Sequence, residues 1–189
     1  AGASAIVMED KTFPTDTSLR ADGRQELVRI EEFQGKIEAA CAARRDPDFL
    51  IIARVEALIA GLGQEEALKR GLAYEQAGAD AILIHSKQAT PDQILSFVQA
   101  WTGKVPLVLV PTAYPQLTEA DIAQLGKVGV VIYGNHAIRA AVGAMQAVFA
   151  QIRQDGGIQN VDAGLPSVKT IIGLQGDAHM RQIEARFLR

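Results

Sequence analysis

Five short apolar runs, each without polar alternation, define the predicted strands of this chain. They begin near residues 5, 49, 81, 105 and 129. Continuous apolar runs of this kind are typical of parallel strands that are covered on both faces. Amphipathic segments fill the gaps between the runs, so a helix is predicted after each strand, the last over residues 137–152. The alternation predicts βα units that build one parallel sheet.

A repeated junction bears on how many units the fold contains. AGASAI at residues 1–6 and AGADAI at residues 77–82 differ at one position, but only the second copy follows a predicted helix. We therefore expect an N-terminal part of the fold to be missing. An open doubly wound sheet could use five strands as they stand, whereas a (β/α)8 barrel runs to about 250 residues. Because the first junction has no helix before it, the TIM-type barrel is favoured, with about five of its eight units present.

Two regions follow from this interpretation. Residues 1–155 would hold the last five strands of a partial barrel, and residues 156–189 a C-terminal helical segment. No Gly-rich first turn completes a dinucleotide-binding fingerprint, which agrees with the barrel.

Composition narrows the class of protein. The chain has 189 residues, 48% of them hydrophobic, and a formal net charge of −3. This hydrophobic share excludes a disordered chain, and no apolar run approaches the roughly 20 residues of a membrane span. This slightly negative net charge gives no sign of a basic surface that would bind nucleic acid or anionic lipid. Cys41, the single cysteine, cannot form an intrachain disulfide, so a cytoplasmic protein that binds neither nucleic acid nor membrane is predicted.

Polar side chains follow every predicted strand. They are Glu9, Asp10, Lys11, Arg54, Glu56, His85, Ser86, Lys87, Thr112, Tyr114, Asn135 and His136. Singly, each has a structural explanation, such as a helix cap, a surface ion pair or a hydrogen-bonded loop histidine. Barrel enzymes, however, place their reacting groups at the C-terminal ends of the strands. The joint pattern therefore favours an active site at that rim.

The residue types suggest the chemistry of this rim. Glu9 and Asp10 suit a hard cation such as Mg²⁺, which takes one or two carboxylates and several waters. Arg54 and His85 suit an anionic group, because guanidinium forms forked hydrogen bonds and imidazole can donate to phosphoryl oxygen. Residues 12–24 are polar, broken by Pro and Gly, and longer than most βα loops, which predicts a lid. A small, doubly anionic substrate is indicated.

Four segments carry a resemblance to a known family. EDKTFP at residues 9–14, ARVEA at 53–57, ADAILIHS at 79–86 and GNH at 134–136 resemble the phosphoenolpyruvate mutase branch of the isocitrate lyase superfamily. Within that branch the sequence is most similar to the hydrolases of phosphonopyruvate, and the similarity covers the whole chain.

The resemblance implies a fold, an activity and an assembly. It implies a (β/α)8 barrel whose last helix, here within residues 156–189, is swapped between subunits of a homotetramer, a dimer of dimers. It implies Mg²⁺, or Mn²⁺ or Co²⁺ in its place. The implied reaction of phosphonate catabolism is hydrolysis of the C–P bond of 3-phosphonopyruvate to pyruvate and phosphate. Phosphoenolpyruvate mutase, a related C–C lyase and a non-catalytic barrel remnant are the alternatives.

Residue roles are also implied by the resemblance. Glu9 matches a carboxylate in the outer shell of the metal, reaching it through water. Arg54 and His85 match the basic residues around the phosphonyl group, and both would bind substrate and act in catalysis. The family's other metal carboxylates and its base aspartate lie on earlier strands, so this polypeptide is expected to be inactive alone.

A gating loop is implied for the segment after the first strand. Its matching residues are Lys11, Thr15, Thr17 and Ser18. Thr17 occupies the position that is Asn in the mutases and Thr in the hydrolases. A hydroxyl there would bind the substrate and either hydrogen-bond the attacking water or attack phosphorus itself. Thr15 stands where the family usually carries Lys.

Overall fold

The computed structural model describes residues 2–18, 20, 23 and 25–188, and it divides into two compact units. The first unit is Ala1–Gly134 and the second is Asn135–Arg189. The first unit contains β1 (Ala5–Glu9), α1 (Ile30–Ala43), β2 (Leu50–Val55), α2 (Gly63–Gln76), β3 (Ala81–Ile84), α3 (Asp92–Ala100), β4 (Leu107–Leu109), α4 (Glu119–Gln124) and β5 (Val128–Val131). The second contains α5 (His136–Asp155), α6 (Val168–Gly173) and α7 (Asp177–Phe187).

The five strands form one parallel sheet in the order β1-β2-β3-β4-β5. Each strand pairs with its neighbour in sequence. A doubly wound sheet reverses its strand order at a switch point, and no reversal occurs among the described strands. The sequential order is that of consecutive units of a (β/α)8 barrel, which confirms the predicted fold class. Within the described residues the sheet is open, with β1 and β5 at its edges.

The two faces of the sheet pack differently. One face belongs to the main core, where strand residues such as Ile82 and Leu107 meet Phe33, Tyr74 and Phe97 of α1, α2 and α3. The opposite face carries a smaller apolar cluster of strand residues, Ile52, Ala81, Leu83 and Val108. Helices outside and strand side chains inside are the arrangement of a barrel wall.

Aromatic packing fixes α1 against α2 on the helical face. The rings of Phe33 and Tyr74 meet edge to face, with centroids 4.7 Å apart, and both side chains are buried. Such a pair adds about 0.5–1.5 kcal/mol beyond the burial of its area. This contact joins the first turn of α1 to the last turn of α2, and the Tyr74 hydroxyl reaches Asp10 at the C-terminal end of β1, where the predicted site lies.

The second unit has a different character. None of the residues of α5, α6 or α7 is buried. Apolar side chains of α5 are widely exposed, with Ile138 at 61%, Met145 at 50% and Phe149 at 69%. The predicted boundary followed residue 155, whereas the compact units divide between Gly134 and Asn135.

None of the helices in the described part of the chain combines the length and the apolar character needed to cross a membrane.

Candidate active site

The register of the sheet brings three of the predicted site residues together. Glu9 lies opposite Arg54 in the β1–β2 pairing, and Val55 lies opposite Ile84 in the β2–β3 pairing. Because side chains alternate between the faces of a strand, Glu9 and Arg54 share one face, and His85, directly after Ile84, points to that same face. All three lie at the C-terminal edge of the sheet, where barrel enzymes carry out their chemistry.

The loop after β1 is closed at its base by main-chain hydrogen bonds. The amide of Thr12 donates to the carbonyl of Glu26 at 2.9 Å, and the amide of Val28 donates to the carbonyl of Asp10 at 2.9 Å. These bonds bring Glu26 and Val28 back beside Thr12 and Asp10, and residues 12–24 between them are called the gating loop below. The base of this loop lies at the C-terminal end of β1, beside Glu9.

The gating loop and the strand ends enclose a cavity of about 260 Å³. Its lining residues are Glu9, Lys11, Thr15, Asp16, Thr17, Ser18, Arg54 and His85. All seven residues given a role by the resemblance line this cavity, and Asp16 is the addition. A larger cavity of about 450 Å³ lies at the opposite end of β4 and β5, away from these groups, so volume alone does not identify the site.

The buried carboxylate of Glu56 organises the floor of this cavity. Its side chain is completely buried. Its Oε1 accepts a hydrogen bond from Nε of Arg54 at 2.7 Å. Its Oε2 accepts from Oγ of Ser18 at 2.5 Å and lies 3.1 Å from Nζ of Lys11. Sequence analysis gave Glu56 no role; the signal that could have found it is its spacing of two residues from Arg54, a spacing that puts two strand side chains on one face.

The ionisation of Glu56 follows from these partners. Burial raises its pKa, but the charge and hydrogen bond of Arg54, the hydrogen bond of Ser18 and the charge of Lys11 outweigh burial and hold the pKa below its ordinary 4.5. The carboxylate is therefore charged at neutral pH. Arg54 and Lys11 both face the buried Glu56 carboxylate. The Glu9 carboxylate is 30% exposed and lies 3.6 Å from Nε of Arg54. Of the two cations, Arg54 is the one whose side chain is partly exposed, at 24%.

His85 enters the cavity as a neutral imidazole. Burial lowers its pKa, and the charges of Arg54 and Lys11 lower it further, against an opposing effect of Glu56. A neutral imidazole has one donor and one acceptor nitrogen. Its Nδ1 is buried and has no hydrogen-bond partner among the described residues. That nitrogen is therefore an unsatisfied polar atom directly after β3.

Asp10 does not serve the metal site that its position suggested. It is fully buried, and its Oδ1 accepts from the amide of Glu56 at 2.9 Å. Its Oδ2 accepts from the hydroxyl of Tyr74 at 2.8 Å and from Nη1 of Arg70 at 3.1 Å. Burial raises the pKa of Asp10 in spite of these partners. The expectation that Asp10 binds a cation is therefore wrong, because both of its oxygens hold β1 to α2 and to the end of β2.

Glu9 is the carboxylate at the C-terminal end of β1 that lines the cavity and could hold a metal ion. Among the described residues, no group of three or more His, Cys, Asp or Glu side chains has the arrangement of a metal site. Mg²⁺ is commonly bound by one or two carboxylates and several waters. Glu9 fits one such ligand, direct or through water, and the described residues do not supply a complete coordination shell.

Other residues of the predicted rim have structural roles or lie elsewhere. Oγ of Ser86 donates to Oε1 of Gln93 at the start of α3. Tyr114 is part of the helical core. Asn135 and His136, to which no role was assigned, begin the second unit.

Comparison with known proteins identifies the family. The family model described as phosphoenolpyruvate phosphomutase matches residues 1–153. The chain belongs to the phosphoenolpyruvate phosphomutase family.

Two curated relatives differ in their sequence identity to this chain. The phosphonopyruvate hydrolase of Variovorax sp. (strain Pal2) is 79% identical over 189 residues, which cover 100% of this chain and 65% of that protein. The phosphoenolpyruvate phosphomutase of Tetrahymena pyriformis is 44% identical over 185 residues, which cover 98% of this chain and 61% of that protein. The chain thus spans less than two thirds of the length of these relatives.

A solved family member has the same architecture. The crystal structure of a phosphonopyruvate hydrolase in complex with oxalate and Mg²⁺ superposes with a TM-score of 0.91 at 76% sequence identity. The match covers 100% of this chain and 64% of that one. The sheet order found here is therefore that of a family barrel, over the part of the barrel that this chain spans.

Proposed function

We propose that the complete protein hydrolyses the C–P bond of 3-phosphonopyruvate to pyruvate and phosphate. The observation that carries this proposal is the single cavity lined by Glu9, Arg54, His85 and Thr17. The identity of 79% to a phosphonopyruvate hydrolase, against 44% to a mutase, supports hydrolysis over rearrangement.

The cavity can recognise a phosphonyl dianion with residues of this chain. The guanidinium of Arg54 is held through Nε and Nη2 by Glu56 and Ser18, so its charge is fixed in orientation at the cavity wall. Preorganised cations stabilise charge that develops on a transferring phosphoryl group. The unpartnered Nδ1 of His85 adds a second polar contact. Arg54 and His85 would bind the phosphonyl oxygens.

Glu9 would contribute to the binding of Mg²⁺, or of Mn²⁺ or Co²⁺ in its place. A divalent ion when bound acts as a Lewis acid toward the oxygens of the pyruvoyl group. A solved phosphonopyruvate hydrolase binds oxalate and Mg²⁺, which supports the assignment. We propose that the remaining ligands belong to the part of the relatives that this chain does not span.

Thr17 would provide the hydroxyl nearest the phosphorus. In hydrolysis a P–O bond to water forms, the C–P bond breaks, and the methyl carbon of pyruvate takes up a proton. The Thr17 hydroxyl either positions the water or attacks phosphorus first, and both routes yield the same products. In either route, closure of the gating loop over the cavity would retain the dianion and hold the reacting groups in place.

The products formed from phosphonopyruvate test the proposal. The complete protein with Mg²⁺ is expected to release equal amounts of pyruvate and phosphate, measured by coupled lactate dehydrogenase and by a phosphate assay. Formation of phosphoenolpyruvate would support the mutase instead. Cleavage of 2,3-dimethylmalate or oxaloacetate without action on phosphonopyruvate would support a C–C lyase, and inactivity on all of them a non-catalytic protein.

Replacing Thr17 separates the role of its hydroxyl from the role of its bulk. Thr17→Asn is expected to lower the rate of phosphate release about 100-fold, the scale of a lost proton-transfer or positioning group. Thr17→Ser retains the hydroxyl and is expected to stay within about ten-fold of the wild type. Equal losses in both variants would show that the hydroxyl is not used.

The assembly is also a proposal. We propose a homotetramer, a dimer of dimers, in which residues 156–189 pack on a neighbouring subunit. Support comes from the second unit, where no residue of α5, α6 or α7 is buried. Within residues 156–189, the apolar side chains of Ile171, Ile172 and Leu174 form an exposed stripe, and exposed apolar stripes mark interaction surfaces. The cytoplasmic location likewise remains a prediction.

Interruption of this stripe tests the assembly. Leu174→Glu, at an 80% exposed position of this segment, is expected to convert a tetramer to smaller species in sedimentation velocity, because a charge would be buried in an apolar contact. Leu62→Glu, at a 52% exposed position of the first unit, is the matched control and should leave the tetramer intact. A monomeric wild-type protein would contradict the proposal directly.

A further inference from the structure

The two chain neighbours of Thr17 are both bound by one buried lysine. Nζ of Lys11 donates to the carbonyl of Asp16 at 2.8 Å and to Oγ of Ser18 at 3.0 Å, and it lies 3.1 Å from Oε2 of Glu56. An ammonium has three donors, so all three are engaged. The Lys11 side chain is 2% exposed. It therefore acts inside the structure and is closed off from solvent.

The hydroxyl of Ser18 is equally saturated. It donates to Oε2 of Glu56 at 2.5 Å and accepts from Nζ of Lys11 at 3.0 Å and from Nη2 of Arg54 at 2.8 Å. A hydroxyl offers one donor and two acceptor lone pairs, so its full capacity is used. An alanine at this position could not make these contacts, which tie the gating loop to three charged groups at the ends of β1 and β2.

We propose that Lys11, Ser18 and Glu56 form a clamp that positions Thr17 over the cavity. Asp16 and Ser18 flank Thr17 in the chain, so fixing both of them fixes the peptide that carries the Thr17 side chain. The consequence for the reaction rests on the function proposed above for Thr17. Lys11, Ser18 and Glu56 are then positioning residues, and none of them needs to touch the substrate.

The clamp also couples the gating loop to the substrate-binding cation. Arg54 shares Glu56 with Ser18 and donates to Ser18 itself. The orientation of the Arg54 guanidinium therefore depends on the loop being in place, and the loop depends on the same carboxylate. The Glu56 carboxylate therefore positions both the Arg54 guanidinium that would bind an anion and the loop that carries Thr17. Loop position and anion binding are consequently linked.

Removal of the Ser18 hydroxyl tests the clamp without relying on activity. The amide of Arg20 donates to the carbonyl of Thr17 at 3.1 Å, so its hydrogen–deuterium exchange reports the local geometry. In the complete protein, Ser18→Ala is expected to speed exchange at this amide about ten-fold or more, as expected for lost hydrogen bonds to charged groups. Thr12→Val is the control: it removes a hydroxyl at the loop base that donates to the Glu26 carbonyl at 3.3 Å, and it should leave that exchange unchanged.

Kinetics then test the positioning role. Ser18→Ala is expected to lower kcat for phosphonopyruvate about ten-fold, with a smaller change in KM, because a misplaced Thr17 affects the reacting state more than substrate binding. Unchanged exchange at Arg20 would overturn the clamp. Faster exchange at Arg20 combined with an unchanged kcat would overturn the positioning role of the clamp. A wild-type protein that does not hydrolyse phosphonopyruvate would refute the proposed function, while the exchange result would still decide the clamp.

Discussion

Arg54→Lys in the complete protein is expected to lower kcat/KM for phosphonopyruvate about 10²- to 10³-fold, the scale measured when one preorganised donor to a developing anion is removed. Lysine keeps the positive charge but loses the rigid fork. It cannot contact Glu56 and Ser18 through two different nitrogens, as Nε and Nη2 of Arg54 do at 2.7 Å and 2.8 Å. The charge would therefore no longer be fixed toward the cavity, and steady-state kinetics measure the loss.

Arg44→Lys is the matched control for this substitution. Nη1 of Arg44 donates to Oδ2 of Asp80 at 2.8 Å and to the carbonyl of Phe49 at 3.1 Å, at the opposite end of β2 and β3. One nitrogen of Arg44 makes both bonds, so the control makes the same Arg→Lys change away from the cavity, and it should leave kcat/KM close to that of the wild type. Equal kinetics for Arg54→Lys and Arg44→Lys would contradict the assignment of Arg54 to the substrate.

Glu56→Gln is expected to lower the free energy of unfolding by about 3–5 kcal/mol, the cost of leaving buried charges without their partner. The amide keeps the shape of the side chain and one acceptor oxygen. It removes the negative charge that compensates Arg54 and Lys11, whose Nζ lies in a site only 2% exposed. Urea unfolding followed by circular dichroism measures the difference. Glu38→Gln, an exposed position on α1, is the control and should change stability little.

The stabilisation by Glu56 also has a defined pH dependence. Its pKa in the folded protein lies below its ordinary 4.5. A carboxyl with a depressed pKa stabilises the fold fully above its unfolded-state pKa, and this contribution is lost as the pH falls through the folded-state pKa. The stability difference between wild type and Glu56→Gln should therefore shrink as the pH is lowered below 4.5. A difference that grows in acid would contradict the buried ion cluster.

The sheet was predictable because its signal is local and repeated. The apolar runs of the sequence correspond to the five strands, and the repeated AGASAI and AGADAI segments lead into β1 and β3. The choice between a barrel and a doubly wound sheet depends on the spatial order of the strands. Periodicity does not contain that order, and the pairing register shows it.

The grouping of the strand-end residues could be predicted from the sequence, but the contacts that connect them could not. Strand ends on one edge must meet, so Glu9, Arg54 and His85 could be grouped from sequence. Adjacent acids such as Glu9 and Asp10 point to opposite faces of a strand, and this alternation sends Asp10 to Tyr74 and Arg70 and away from a metal. The use of Glu56 as a shared anion depends on a fold-back of the gating loop that brings Ser18 to it. Such a long-range contact has no signature in local sequence.

The most direct test of hydrolysis is the fate of water oxygen. The complete protein would convert phosphonopyruvate in H₂¹⁸O with Mg²⁺ present, and the released phosphate would be analysed by ³¹P NMR or mass spectrometry. Hydrolysis at the cavity of Arg54, His85 and Thr17 predicts that each phosphate carries one oxygen from water. Phosphate without solvent oxygen, or phosphoenolpyruvate as the product, would contradict it.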